Sequence, residues 1–471
     1  MDYRKEHDYL GELNVPVDAY WGAQTQRAIQ NFPISGLKPH PEYVRATVLV
    51  KRAAAQANLE AGLLKDKVAK AIMDAADEVL SGKLAEQFVV DVYQAGAGTS
   101  HNMNVNEVLA NRAEELLGGK RGEHRLVHPN DHVNMSQSTN DVIPTAIRLS
   151  GLALWMRLDE SLVTLISSLR KKSKEFDNIV KSGRTHLMDA APIRLGQEFE
   201  AWARMIERSR DRISYAADKL KELNIGATAV GTGLNADPEY VRRVVEILSS
   251  LTGFNLRAAG YLPEVTQSTD DFLNLSAALR TLASDLIKIS NDLRLMYSGP
   301  VTGLSEIVLP PVQPGSSIMP GKVNPSIPEM VDMVGFQVVG NDTSILMASQ
   351  AGQLELNVMM PLIAHLQCQN LTILANACRV LAEKCISGIV PNREKMESLV
   401  AKTPGVALAL NPYIGYEKAA EVVKKAVAEG KTIKECVLEM KLLPEDVVNS
   451  IFDPHELTEP GIAGRGKRGK H

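Results

Sequence analysis

Apolar residues recur at three- and four-residue spacing over 44–61 and 68–80, which predicts helices with one buried face. A shorter stretch of the same kind covers 107–117, and a longer one covers 147–176. The clearest is 265–297, where Leu275, Leu279, Leu282, Leu286, Ile289, Leu293 and Met296 alternate spacings of four and three, a heptad-like seam. An uninterrupted helix of that length extends roughly 50 Å at ~1.5 Å per residue. Gly299-Pro300 stops it. Further long helices are predicted over 329–349 and 358–389. Residues 1–40, broken by Pro16, Pro33 and Pro39, read as loops and short elements. After Pro391, turn residues at Pro404-Gly405, Pro412 and Gly415 predict short helices.

Long helices with apolar seams pack economically as an elongated bundle. The expectation is therefore a mainly α chain of three domains: a mostly helical N-terminal domain over 1–138, a central long-helix bundle over 139–391, and a small helical C-terminal domain over 392–471. A length of 471 residues agrees with more than one core. A bundle this long leaves apolar faces uncovered in a single chain, which predicts an oligomer.

Composition narrows the function classes. Aromatics are only 5% of residues, which leans toward helix packing, and a net charge of −4 supplies no basic field for nucleic acid. Cys368, Cys378, Cys385 and Cys436 have no metal-ligand spacing and are too few for a disulfide scaffold, so a reducing, cytoplasmic setting is expected. The first residues carry no apolar stretch of a secretory signal, and no run reaches the ~18 apolar residues of a membrane helix. The basic, glycine-rich tail from Gly464 to His471 reads as a solvated terminus.

Between the helical stretches lie polar islands. One is Gly96-Ala97-Gly98-Thr99-Ser100-His101-Asn102-Met103-Asn104, and a second runs from His128 to Asp141. Both read as turn material interrupting the helices. The glycines of the first lack the full dinucleotide fingerprint, and His128, Asp131 and His132 lack further ligands for a metal. Two more islands are Gly183-Arg184-Thr185-His186-Leu187-Met188-Asp189 and the stretch from Gly226 to Asn235.

The richest island is Gly315-Ser316-Ser317-Ile318-Met319-Pro320-Gly321-Lys322-Val323-Asn324-Pro325. Its glycines and prolines predict irregular backbone, and its hydroxyls, ammonium and carboxamide suit closure over a small anion. It is no phosphate loop: five residues separate its glycines, and Val323 follows the lysine. Taken together, the islands offer hydroxyls, amides, a histidine and a lysine, but no metal cage, phosphate loop or cysteine nucleophile. Such a set suits a small dicarboxylate and the dianionic enediolate formed when a proton leaves the carbon beside a carboxylate. No motif implies a cofactor.

The loop from Gly315 to Pro325 resembles the signature loop of the fumarase/aspartase superfamily, and the likeness extends from about Tyr3 to about Gly464. The resemblance implies a homotetramer in which three separated regions, from three subunits, meet at each active site. It implies that Ser316 is the general base. Thr99, Ser138, Thr139 and Ser317 then hold the carboxylate beside the abstracted proton, and Lys322 and Asn324 grip the other carboxylate. Asn140, Thr185 and the catalytic His186 face the leaving group.

The branch of the family is harder to read. Ala97 and Thr139, with the Ala351-Gly352-Gln353-Leu354-Glu355 and Pro460-Gly461-Ile462-Ala463-Gly464 stretches, look like aspartases. The segments from Trp21 to Arg27 and from Arg125 to Asp131 look like class II fumarases, and Glu329 follows Lys322 at a fumarase spacing. Weighting the carboxylate pocket most, the expected reaction is reversible deamination of L-aspartate to fumarate and ammonia. The alternative is hydration of fumarate to L-malate. A non-catalytic protein of the same fold is a third reading, opposed by the completeness of the chemical set.

Overall fold

A computed structural model describes residues 2–465. The end of the basic tail, Gly466 to His471, lies outside the described residues. An antiparallel hairpin of β1 (Tyr3–Asp8) and β2 (Gly11–Pro16) precedes α1 (Ala23–Asn31). Then come α2 (Pro41–Glu60), α3 (Asp66–Leu80), α4 (Thr99–Leu116) and the long α5 (Thr139–Glu175). A second hairpin, β3 (Val180–Thr185) and β4 (Met188–Arg194), leads into α6 (Leu195–Lys219) and α7 (Pro238–Thr252). A short α8 (Leu262–Gln267) is followed by α9 (Asp270–Tyr297), α10 (Ser326–Gln350) and α11 (Met360–Lys384). The chain closes with α12 (Arg393–Val400), α13 (Asn411–Glu429), α14 (Ile433–Glu439) and α15 (Glu445–Ile451). The fold is mainly α, as the apolar spacing predicts.

The predicted helix at 265–297 is two helices. Ser268 interrupts it, and its hydroxyl accepts the Asp270 amide at 3.2 Å, so the seam continues while the backbone restarts. The seam residues Leu275, Leu279, Leu282, Leu286, Ile289 and Leu293 are all buried. The first polar island is also not simply a loop: Thr99 to Asn104 are the opening turns of α4. That helix accepts buried asparagines because their carboxamide N–H groups find acceptors. Asn104, for example, takes the Val89 amide at 2.9 Å and gives a proton to Gln87 O at 3.0 Å.

The chain forms two compact units. The first comprises the described residues up to Asp159 with Ser209–Ala283 and Phe336–Ala375; the second comprises Glu160–Arg208, Ser284–Gly335 and the described residues from Asn376. This division follows compactness, whereas the boundaries at 138 and 391 follow element type. Within the first unit, α2, α3 and α4 pack their apolar faces into a core that includes Val48, Ile72, Val105 and Leu109. The same unit ties long helices together through polar pairs: Arg148 to Asp271 at 2.8 Å and Arg280 to Asp342 at 2.7 Å. Within the second unit, α13, α14 and α15 enclose a small core around Leu410, Val422, Val437 and Ile451. No described helix is long and apolar enough to cross a membrane.

Candidate active site

In the first unit three of the islands converge. Gly96–Gly98 forms a single tight turn in which Ala97 and Gly98 have positive φ, 61° and 91°. A Cβ on Gly98 would stand 3.0 Å from Ile143 at the start of α5, so glycine permits a close approach there. Ala97 N donates to Val358 O at 2.8 Å. The turn is thus locked from two sides, and it presents Thr99, exposed, in the first turn of α4. No side chain caps that helix at Gly98, so its N-terminal end favours negative charge.

One turn later, Asn102 Nδ2 reaches Thr139 Oγ1 and Asn134 Oδ1, both at 3.3 Å. Asn134 Oδ1 also accepts from Asn106 Nδ2 at 3.2 Å and from Lys51 Nζ at 2.8 Å, while Lys51 gives a second bond to Gln137 Oε1 at 3.0 Å. Lys51 is buried on α2, and burial pushes its ammonium down to about 7. At the start of α5 the Ser138 hydroxyl accepts the Asn140 amide at 3.2 Å, and Asp141 Oδ1 accepts the Ser138 amide at 2.9 Å, a reciprocal helix cap. Asn140 Nδ2 donates to Ala229 O at 2.7 Å, which brings in the island that begins at Gly226. Thr99, Ser138, Thr139 and Asn140 therefore share one neighbourhood within this unit.

The remaining candidates belong to the second unit. Thr185 ends β3, and His186-Leu187 is the two-residue turn of the hairpin, with φ of 56° and 61°. This is a left-handed turn usually taken by asparagine and glycine. Thr185 and His186 are exposed at its tip. The base of the hairpin is held by a buried carboxylate: Glu306 receives Lys181 and Arg184, each at 2.7 Å. Lys181 also reaches Glu198 at 3.1 Å, whose carboxyl is raised above its ordinary value by burial.

The 315–325 loop is neither helix nor strand. Gly315 N donates to Lys322 O at 2.8 Å, and Asn324 Nδ2 donates to Gly315 O at 2.8 Å, which closes the loop on itself. A Cβ at Gly315 would lie 2.7 Å from Asn324 N. Ser316 Oγ accepts two backbone amides, Ile318 N at 3.2 Å and Met319 N at 2.9 Å. Ser317 and Lys322 are exposed. No hydrogen bond joins this loop to the Thr185-His186 tip among the described residues.

Other candidates have local roles. His128 Nδ1 accepts the Asn130 and Asp131 amides at 3.3 and 3.2 Å, and His132 Nδ1 accepts the His128 amide at 2.8 Å. Among the described residues no group of three or more His, Cys, Asp or Glu is placed to hold a metal. Burial pushes the thiols of Cys368, Cys378 and Cys385 up to about 12, which removes them as nucleophiles near neutrality.

Sequence reasoning missed Lys51, Asn102, Asn134 and Asp141 as supports of the candidate site. Lys51 carried a readable signal. It stands on the buried stripe of α2 formed by Val44, Thr47, Val48, Ala55 and Asn58, where a lysine has no place without a polar partner.

The chain matches a family model described as "Lyase" over residues 11–340 and one described as "Fumarase C C-terminus" over 407–459. It is 49% identical to an aspartate ammonia-lyase of Bacillus subtilis over 464 residues, 98% of each chain. It is 51% identical to a class II fumarate hydratase of Halobacterium salinarum over 462 residues, again 98% of each. Among solved structures, a fumarate lyase:delta crystallin from Brucella melitensis aligns with a TM-score of 0.94 at 46% identity, over 98% of this chain and 100% of that one. A class II fumarase from Schistosoma mansoni aligns at 0.92 and 38% identity, with 98% and 100% covered. Family model, whole-length identity and fold agree: the chain belongs to the lyase family that includes aspartate ammonia-lyases and class II fumarate hydratases.

Proposed function

We propose that this lyase deaminates L-aspartate reversibly to fumarate and ammonia, as a homotetramer whose active sites are shared between subunits. Ser316 Oγ removes the proton from the carbon beside one carboxylate. The electrons of that C–H bond pass into the carboxylate as an enediolate, and their return breaks the C–N bond, releasing ammonia and leaving the fumarate double bond. Thr99, Ser138, Thr139 and Ser317 hold the enediolate oxygens; Lys322 and Asn324 hold the second carboxylate. Asn140, Thr185 and His186 face the departing nitrogen.

The observation that carries this reading is the pair of amides on Ser316 Oγ. A serine hydroxyl is a weak base, and two N–H donors aimed at its oxygen favour the alkoxide that would take the proton. The bond from Asn140 Nδ2 to Ala229 O supports the leaving-group assignment, because it leaves Oδ1 free to accept from an ammonium. Exposure of Thr99, Thr185, His186 and Lys322 in the single chain agrees with a site completed by neighbouring chains.

The hydratase reading is kept because fumarate hydratases and aspartate ammonia-lyases are comparably similar to this chain. A side-by-side assay separates the two. Purified protein given L-aspartate should develop fumarate absorbance with equimolar ammonia. Rapid fumarate formation from L-malate, with none from L-aspartate, would establish the hydratase instead.

A further inference from the structure

Asp141 is a buried carboxylate that takes no part in the chemistry proposed above. Its two oxygens accept three backbone amides: Ser138 N at 2.9 Å on Oδ1, and Gly226 N and Thr228 N at 3.0 Å each on Oδ2. The first belongs to the turn that opens α5; the other two belong to a loop distant in sequence. That loop does not adopt its shape unaided. Thr228, a β-branched residue, has φ of 56°, and its hydroxyl is buried with no hydrogen-bond partner. Gly226 has φ of 94°, and a Cβ there would stand 2.9 Å from the Val241 side chain. A strained segment persists only where its surroundings hold it, and this carboxylate takes two of the loop's amides. The next residue in the loop, Ala229, supplies the carbonyl that takes Asn140 Nδ2 at 2.7 Å.

We infer that Asp141 is a positioning residue for Asn140: it clamps the 226–229 loop onto the start of α5, so that Ala229 O fixes the Asn140 carboxamide with its oxygen turned toward the leaving group. This rests on the leaving-group role proposed above for Asn140. The clamp works through the ionised carboxylate, because a protonated oxygen is a poor acceptor for an amide. Burial raises the Asp141 carboxyl to about 6; the three amides and the Lys51 ammonium on α2 pull the other way. On α7 burial raises the Tyr240 hydroxyl, and the Asp141 charge adds to the rise.

The test is Asp141→Asn, assayed with whichever of L-aspartate and L-malate the wild type eliminates. The expected result is a fall in kcat/KM of roughly 10²-fold, the scale of a small misplacement at a reacting centre. Inhibition by succinate, a diacid with no leaving group, should change by less than about threefold, since its contacts are with the carboxylate-binding groups. A merely structural lesion would weaken both together. Activity within about threefold of wild type, or equal losses for substrate and succinate, would overturn the proposal.

Should the variant fail to fold, hydrogen exchange on the wild-type tetramer reads the clamp directly. Protection of the Gly226 and Thr228 amides should fall as pH drops below about 6, while α7 stays protected. Unchanged protection of those two amides would overturn the clamp. A wild type active on neither substrate would instead sink the functional reading, and the exchange result would stand apart from it.

Discussion

Lys51 Nζ lies 2.8 Å from Asn134 Oδ1, and among the described residues no carboxylate pairs with it. A buried ammonium supported by two amide oxygens is costly, which is why burial depresses it to about 7. Because the folded pKa lies below the ordinary lysine value, the unfolded chain binds more protons between about 7 and 10.5. Stability should therefore rise with pH across that window, by roughly a few kcal/mol at most. Unfolding by urea at pH 7 and pH 9.5 measures it. In Lys51→Met this contribution should vanish, and a wild type with the same slope as the variant would contradict the assignment.

Ser316→Ala removes the proposed base while leaving the proposed carboxylate-binding groups in place. The predicted loss is about 10²- to 10⁴-fold in kcat, the usual worth of a positioned general base. Succinate inhibition should persist. An unchanged rate would eliminate Ser316 as the base.

Glu306→Ala leaves Arg184 without its carboxylate, and Lys181 with Glu198 alone, beneath the Thr185-His186 hairpin. Breaking a buried ion pair by removing one partner costs about 3–5 kcal/mol. Thermal unfolding should show a lower midpoint, and the surviving folded enzyme should lose kcat as the hairpin loosens. Replacement with no change in midpoint would show that the cluster is not what holds the hairpin.

Much of the fold was legible because buried helix faces repeat. The seam from Leu275 to Leu293 is one such face, and its residues are buried as expected. The break at Ser268 was not legible, because Val265 and Phe272 sustain the apolar spacing across it. The β3–β4 hairpin was missed for a different reason. Its register shifts between Ser182 and Arg184, and its turn is His186-Leu187 rather than a glycine pair. The chemical residues were recognised by their resemblance to a family motif. Of their supports, Asp141 could not be, since it acts through partners that only the folded chain brings near, whereas Lys51 is marked by its place on the apolar stripe of α2.

On the part of α10 in the first unit, Phe336 and Met347 are 61 and 60% exposed at helical spacing. An uncovered apolar stripe of this kind supports the proposed assembly. Phe336→Glu should shift the protein toward smaller species in light scattering. A variant that keeps the wild-type mass would remove this stripe from the subunit interface.

Each active site is proposed to draw Ser316 and Asn140 from different chains of a tetramer, and mixing two inactive variants measures that directly. Ser316→Ala and Asn140→Ala, each inactive alone, are co-expressed. If the two side chains come from different subunits, random assembly regenerates intact sites in about a quarter of positions. Activity near that fraction of wild type is the predicted result. Co-expressed chains that form mixed tetramers and stay inactive would contradict the shared site.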